Sequence, residues 1–422
     1  MWRRPPHARG PGFCTARLLP GRRSSGGPAG RHRCRRREGT GQDKPGSQLQ
    51  GHGVGAGQAE ALSDPRIETW LDATIADLWP GARCESLAEV AGDASSRVYA
   101  RVSLSGSQQG GDSCPASVVL MILQDAGVAM SSDELGVFAE GGPDELPFVN
   151  VLRFMARSCP AVPRLYAVSD ARDLLLLEDL GDTPLWDAAG LDGADPVALF
   201  TAALELLAAL QHDCIDDGSG CYAFGQAFDH ELFAWEVEHF LEFGLLPAAA
   251  SGIDECRAEL GLVVDRLAAL PRVFCHRDYH AWNLMVQGGG NDDLRIRLID
   301  FQDALMAPSL YDVASLLTDR VTPTLLQPDM ESELLARWHS LADSAAGLSF
   351  DQVVEQYEWL ALQRVLKVVG RFNYLATVKG KPAYARMLPG VVVTARRFAA
   401  RVEGLPVTRR LLDEQVREKV PT

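Results

Sequence analysis

The sequence lacks any apolar run long enough to span a membrane. Its longest candidates, such as Leu204–Leu210, are short and interrupted. No membrane partner is expected. It also lacks a C-x-x-C pair. Nine cysteines, an odd number, stand singly at Cys14, Cys34, Cys84, Cys114, Cys159, Cys214, Cys221, Cys256 and Cys275. That scatter speaks against a disulfide framework or a zinc knuckle and for reduced thiols in the cytoplasm. Positive charge is scarce once the first residues are passed. Eleven arginines precede Glu38, the first acid, leaving 30 basic residues to face all 56 acidic ones. An acidic body argues against a nucleic-acid groove. No internal repeat is visible, and no obligate protein partner is indicated.

What is present is a chain of 422 residues, 46% of them hydrophobic, enough to bury a sizeable core and long enough for two lobes. Residues 1–60 are rich in Arg, Gly, Pro, Ser and Gln, with almost no aliphatic pattern. They cannot bury enough apolar surface to offset their ordering entropy and read as a disordered tail. "RHRCRRREG" has the charge of a tether, and the Arg-rich start superficially resembles a transit peptide, but it lacks the amphipathic face such peptides need. A solvated tail, or a start codon assigned too early, accounts for it better. "GHGVGAG" (51–57) misses G-x-G-x-x-G because Ala56 fills the last glycine position, and reads as a linker.

From residue 61 the texture changes. "DPRIETWLDATIADLW" (64–79) repeats apolar residues at helical spacing, with Asp64 as N-cap and Pro65 at the first helical position. Short β-like runs follow at 86–90, 97–104 and 117–123. "LPFVNVLRFMARS" then has a helical pattern, and "LYAV" (165–168) and "LLLLEDL" (174–180) read as two more strands. Beyond Asp182 the helical period dominates, over 194–213, 230–246, 254–270, 330–344 and 350–372. The expected fold class is α+β: a small antiparallel-sheet lobe over 61–182, then a mainly helical lobe over 183–422.

The chemistry concentrates in "FCHRDYHAWNLM" (274–285) and in "LRIRLIDFQDA", which places Asp300 at the end of an apolar strand. Phosphoryl transfer from a nucleotide needs a carboxylate to orient the attacking hydroxyl and accept its proton. It also needs oxygen ligands for a Mg²⁺ ion bridging the phosphates. Asp278 suits the first role; Asn283 and Asp300 suit the second. The loop reverses the chain, which lets these three face one cleft. A zinc site from Cys275, His276 and His280 lacks a fourth ligand at normal spacing.

The pattern H-R-D-x-x-x-x-N followed by D-F-x-D resembles the protein-kinase-like superfamily, in the version used by aminoglycoside phosphotransferases. "AGDASSRVYARV", "LLLLEDLGD", "HRDYHAWNLM", "LIDFQDALMAPSLYDVASLL" and "QRVLKVVGRF" occur in the order seen in the bacterial anomeric N-acetylmuramate/N-acetylglucosamine kinases. The resemblance covers 65–400 or thereabouts. It implies a bilobal protein-kinase-like fold, ATP and Mg²⁺, and a sugar acceptor met in cell-wall recycling. Phosphotransfer to an aminoglycoside or another amino alcohol remains open beside it.

His276 is expected to hold the loop backbone, while for His280 a substrate contact and a surface role stay open. Asp312 resembles the acid that braces the catalytic loop from the following helix, with N-capping as the alternative. Asp303 is placed to orient the metal shell or meet the sugar. In the N-lobe, Gly92 permits a turn whose amides, with Ser95 and Ser96, can cradle outer phosphates. The third strand carries no Lys: Met121 stands where the ammonium is expected. Either the chain is an inactive nucleotide-binding pseudokinase or another cation serves. Strand alternation puts Arg97, Tyr99 and Arg101 on one face, which makes Arg97 the substitute. Glu178 and Leu180 mark a hinge offering backbone groups to an adenine. For the acceptor, Glu231, Trp235 and Glu238 share one helical face, as do Arg364, Lys367 and Arg371, a cationic face that suits a lactyl carboxylate.

Overall fold

The computed structural model describes residues 35–36, 62–90, 97–106, 114–123, 145–288 and 294–418. The expectations for the rest of the 1–60 tail and for Gly92, Ser95 and Ser96 lie outside the described residues. Helix α1 (Pro65–Leu78) begins where the sequence predicts, because the Asp64 carboxylate accepts the Arg66 amide. Its stripe of Ile67, Leu71 and Ile75 is buried against a sheet.

The sheet runs β1 (Arg35–Arg36), β2 (Arg83–Val90), β3 (Arg97–Ser105), β4 (Ser117–Leu123), then β6 (Leu174–Glu178) inside β5 (Leu165–Val168). β1 lies parallel to β2, and the other neighbours are antiparallel. The period of two sorts its faces. Val98, Val102, Val118, Leu120 and Ile122 turn toward α1. Met121, Leu123, Leu175 and Leu177 join the main core with α2 (Pro147–Ser158). Register sets Arg97, Tyr99 and Arg101 opposite Leu123, Met121 and Val119 on that second face.

The helical lobe contains α3 (Leu185–Ala189), α4 (Pro196–Asp213), α5 (His230–Phe243) and α6 (Ile253–Ala268). It continues with α7 (Leu310–Thr318), α8 (Thr322–Leu325), α9 (Pro328–Leu341), α10 (Phe350–Thr377), α11 (Leu388–Arg401) and α12 (Pro406–Glu414). The last two are absent from the sequence reading because neither start carries a side-chain cap. Four short strands, β7 (Arg272–Cys275), β8 (Leu284–Gln287), β9 (Arg295–Leu298) and β10 (Leu305–Pro308), pair as β7 with β10 and β8 with β9. The stretch between β7 and β8 is therefore a loop between two ribbons. α5 and α10 approach closely at Gly370, where a Cβ would meet the His239 carbonyl oxygen and Phe240 Cα at 2.9 Å.

The cysteine expectation needs one correction. Cys114, Cys159, Cys214, Cys221, Cys256 and Cys275 are free thiols, but Cys84 is disulfide-bonded. Among the described residues no helix is long and apolar enough to cross a membrane.

Candidate active site

The loop after β7 is held from behind. Asp312, wholly buried in the first turn of α7, accepts the His276 N–H at 2.6 Å and the Arg277 N–H at 3.0 Å. It braces the loop; the cap position of its own helix is Ser309. Burial pushes the Asp312 carboxyl up to about 7, against the pull of those two amides and of Arg364. His276 is buried too, and its Nε2 donates to the Ile299 carbonyl at 3.0 Å. Burial keeps this imidazole neutral, down to about 4. The Ile299 N–H in turn donates to the Asn283 carbonyl at 3.1 Å, stitching the two sequence motifs together. Arg277 and Asp300 take left-handed backbones, φ 78° and 65°, which residues other than glycine hold only where their surroundings over-determine them.

The stitching brings the three candidate residues together. Asn283 Nδ2 donates to the Asp278 carbonyl oxygen at 2.9 Å and stands 3.5 Å from Asp300 Oδ2. Gln302 Nε2 donates to Asp300 at 2.9 Å and to Asp303 at 3.0 Å, so Asp303 belongs to the same acidic group. Burial, Asp278 and Asp303 push the Asp300 carboxyl up, while Gln302 and Arg97 pull it down. Burial would also raise Asp278, but Lys367, Arg364 and Arg277 outweigh it and hold that carboxyl well below the usual carboxylate range. Asp278 keeps 34% of its side chain exposed, open to an incoming hydroxyl. Arg97 reaches the same place from the sheet, its Nη1 3.7 Å from Asp300 Oδ1. Met121, paired with Tyr99 across the sheet, is fully buried.

Arg101, on the same strand face, goes elsewhere. Its guanidinium binds Asp179 at 2.5 and 2.9 Å and Asp182 at 2.6 and 2.8 Å, and Ser117 Oγ adds a 2.6 Å bond to Asp179. Glu178 anchors the end of β6 with its side chain. Its carboxylate takes Arg297 at 2.7 Å and the Arg164 amide at 3.0 Å, and its own N–H goes to the Arg164 carbonyl. The Leu180 carbonyl accepts from Gln287 Nε2 at 3.2 Å. Glu178 and Leu180 thus fasten the end of β6 to β8 and β9.

The residues expected on the acceptor side fall in two different places. Glu231 and Trp235 lie on the exposed face of α5, with Glu238, which pairs with Arg257. The buried face carries Leu232, Phe233, Val237, Phe240 and an acid the sequence reading passed over, Glu236. Glu236 binds Gln363 and lies 3.1 Å from Lys367, so the cation that holds Asp278 down is itself partnered. Arg364 is buried, donating to the Arg277 carbonyl at 3.2 Å and the Tyr311 hydroxyl at 3.1 Å, with Asp278 at 3.5 Å. It supports the loop that carries Asp278. The pairing of Glu236 with Gln363 and Lys367 across α5 and α10 had no signal in either segment alone.

A family model described as "phosphotransferase enzyme family", the APH family, matches residues 86–348. The chain belongs to this family. Like its members, this phosphotransferase has the protein-kinase-like fold, and it is an ATP-dependent kinase with a hydroxyl acceptor. The N-acetylmuramate/N-acetylglucosamine kinase of Pseudomonas aeruginosa is 30% identical over 338 residues, 77% of this chain and 88% of that protein. The kinase of the same name from Pseudomonas putida is 29% identical over 339 residues, with the same shares covered. Among solved structures, a Plasmodium vivax ethanolamine kinase superposes with a TM-score of 0.52 at 12% identity, covering 85% of this chain and 99% of that one. A kanamycin complex of an aminoglycoside 2″-phosphotransferase gives 0.51 at 12% identity, covering 78% and 99%. Both likenesses speak for the fold.

Proposed function

We propose that this phosphotransferase transfers the γ-phosphate of ATP to the anomeric hydroxyl of N-acetylmuramate and N-acetylglucosamine, with Mg²⁺ as the cofactor. The observation that carries the reading is Asp278, partly exposed and joined through Asn283 to Asp300. Sequence identity to curated kinases of that name, over most of both chains, supports the acceptor. A carboxylate held so low is a weak base, and an anomeric hydroxyl, more acidic than an ordinary alcohol, asks least of it. Asp278 orients that hydroxyl and takes its proton as transfer proceeds.

Asn283 and Asp300 are the residues that would hold the metal. Their oxygen donors are the hard ligands Mg²⁺ prefers, and the mutual repulsion of Asp278, Asp300 and Asp303 favours a cation among them. Among the described residues no group of three or more His, Cys, Asp or Glu could cage a metal unaided. Mg²⁺ is usually held by one or two carboxylates plus substrate phosphates, so the donor set fits. Bound there, it would supply charge neutralisation at the transferring phosphoryl. Arg97, beside Asp300, supplies the cation that Met121 cannot.

One assay tests the reading: phosphate transfer to N-acetylglucosamine, N-acetylmuramate, kanamycin and choline, with NMR location of the new phosphate. An anomeric phosphate on the amino sugars, lost about a hundredfold or more in Asp278→Ala, is expected. Phosphate on a kanamycin ring hydroxyl, with neither sugar modified, would defeat it. Nucleotide binding without turnover of any acceptor would make the chain a pseudokinase.

A further inference from the structure

One exposed aromatic on the side of Asp278 has no part in the chemistry above. Trp235 is 39% exposed, and its indole stacks on the His239 imidazole with ring centroids 5.4 Å apart and planes 16° from parallel. Its direction follows from how α5 and α10 pack. The two helices run the same way: Glu236 meets Gln363 and Lys367, His239 and Phe240 meet Gly370, and Phe243 meets Tyr374. At 3.6 residues per turn, each residue is turned about 100° from the one before it. In parallel helices a step back from the contact line on one, and a step forward on the other, lead to the same side. Trp235 precedes Glu236, while Arg364 follows Gln363 and Arg371 follows Gly370. Arg364 shows which side this is, since its Nη2 lies 3.5 Å from Asp278 Oδ1. Ring contacts agree: the His239 ring lies 5.5 Å from that of Tyr374, and the Arg371 guanidinium lies 5.7 Å from the same tyrosine ring. Trp235, Arg371 and the partly exposed Asp278 carboxylate therefore border one side of the seam.

We infer that this side of the seam receives the acceptor sugar, with Trp235 stacking on its ring and Arg371 binding a carboxylate that it carries. This rests on the acceptor class proposed above and names its recognition. A pyranose has a face of C–H groups, and an indole open to water gains apolar contact when that face covers it. An acceptor with a carboxylate, as N-acetylmuramate has, must approach Asp278, Asp300 and Asp303, whose charges repel it. A cation beside the approach offsets that repulsion, and α10 carries three on one face. Their surroundings sort them. Arg364 is buried and donates to the Arg277 carbonyl and the Tyr311 hydroxyl. The charge of Lys367 is balanced by the buried Glu236. Arg371 is half-buried, one turn further from the loop, beside Tyr374 and on the side of Trp235. Its planar fork suits a carboxylate bidentately, which makes it the residue that separates an acidic sugar from a neutral one.

The test measures kcat/KM for N-acetylmuramate and N-acetylglucosamine with the full-length protein and with Arg371→Gln and Trp235→Ala. Arg371→Gln should lower the ratio of N-acetylmuramate to N-acetylglucosamine about tenfold or more, the worth of a charge-assisted hydrogen bond, and Arg371→Lys should recover part of it. Trp235→Ala should raise KM for both sugars about tenfold, with Trp235→Phe closer to wild type. A merely structural role would move KM for ATP and kcat for both sugars together and leave the ratio in place. A ratio unchanged in Arg371→Gln, or sugar KM values unchanged in Trp235→Ala, overturns the subsite and leaves anomeric transfer standing. So does a wild type active on N-acetylglucosamine alone. Wild type that phosphorylates neither sugar overturns the acceptor class, and the subsite with it.

Discussion

Nη1 of Arg97 lies 3.7 Å from Oδ1 of Asp300, joining the third strand of the sheet to the motif that follows β9. The contact sets a buried cation where outer phosphates and their metal would meet. Arg97→Ala should raise the KM for ATP about tenfold while AMP binding changes little, because only outer phosphates lose a partner. Titration of both nucleotides checks it; equal losses would mark Arg97 as structural.

His276 makes stability pH-dependent. Burial lowers its folded value from the ordinary 6.5 to about 4, so the unfolded chain takes up a proton first as pH falls. Its contribution is complete above pH 6.5 and is lost on going down toward 4, with a slope of up to about 1.4 kcal/mol per pH unit. Asp312, pushed up to about 7, contributes the opposite slope over the same window, so the His276 contribution is read by urea unfolding as the difference between wild type and His276→Gln, which should move in the variant's favour as pH falls from 6.5 toward 4.

Arg297 binds the Glu178 carboxylate and caps the Ala161 and Val162 carbonyls. Arg297→Ala strands the Val162 carbonyl and leaves the Glu178 carboxylate and the Ala161 carbonyl with only the Arg164 and Leu298 amides, in a place where 14% of the arginine side chain is exposed. Unfolding free energy should drop by about 2–4 kcal/mol, read from denaturant midpoints at constant m-value.

Arg364 acts on the reaction through the loop. Arg364→Ala leaves the Arg277 carbonyl and the Tyr311 hydroxyl without their donor. The kcat should fall about ten- to a hundredfold, with acceptor KM within about twofold, since the base is misplaced but no acceptor contact is lost. A KM rise with kcat intact would return Arg364 to the acceptor pocket.

What could be read from the sequence was local. Asp64 and Asp195 announced their helices because a cap and its proline are neighbours in the chain. Asp278, Asn283 and Asp300 were legible because five residues of loop and one short hairpin suffice to bring them together. Glu236 was not. The spacing of Glu231, Trp235 and Glu238 describes a true helical face, but it is the wet one, and an acid on the dry face is tolerated only because Lys367 and Gln363 arrive from α10. Arg364 was found as a basic residue, but its partners were not, because Arg277, Tyr311 and Asp278 are distant in sequence.

Gly370 gives α5 and α10 a fixed separation, since even a methyl would strike the backbone at His239 and Phe240. Those two helices carry Glu236 and Lys367, the pair behind the Asp278 carboxylate. They act as a calliper locked at one setting. Opening the jaws would draw Lys367 away from Asp278 and leave Glu236 buried without its cation.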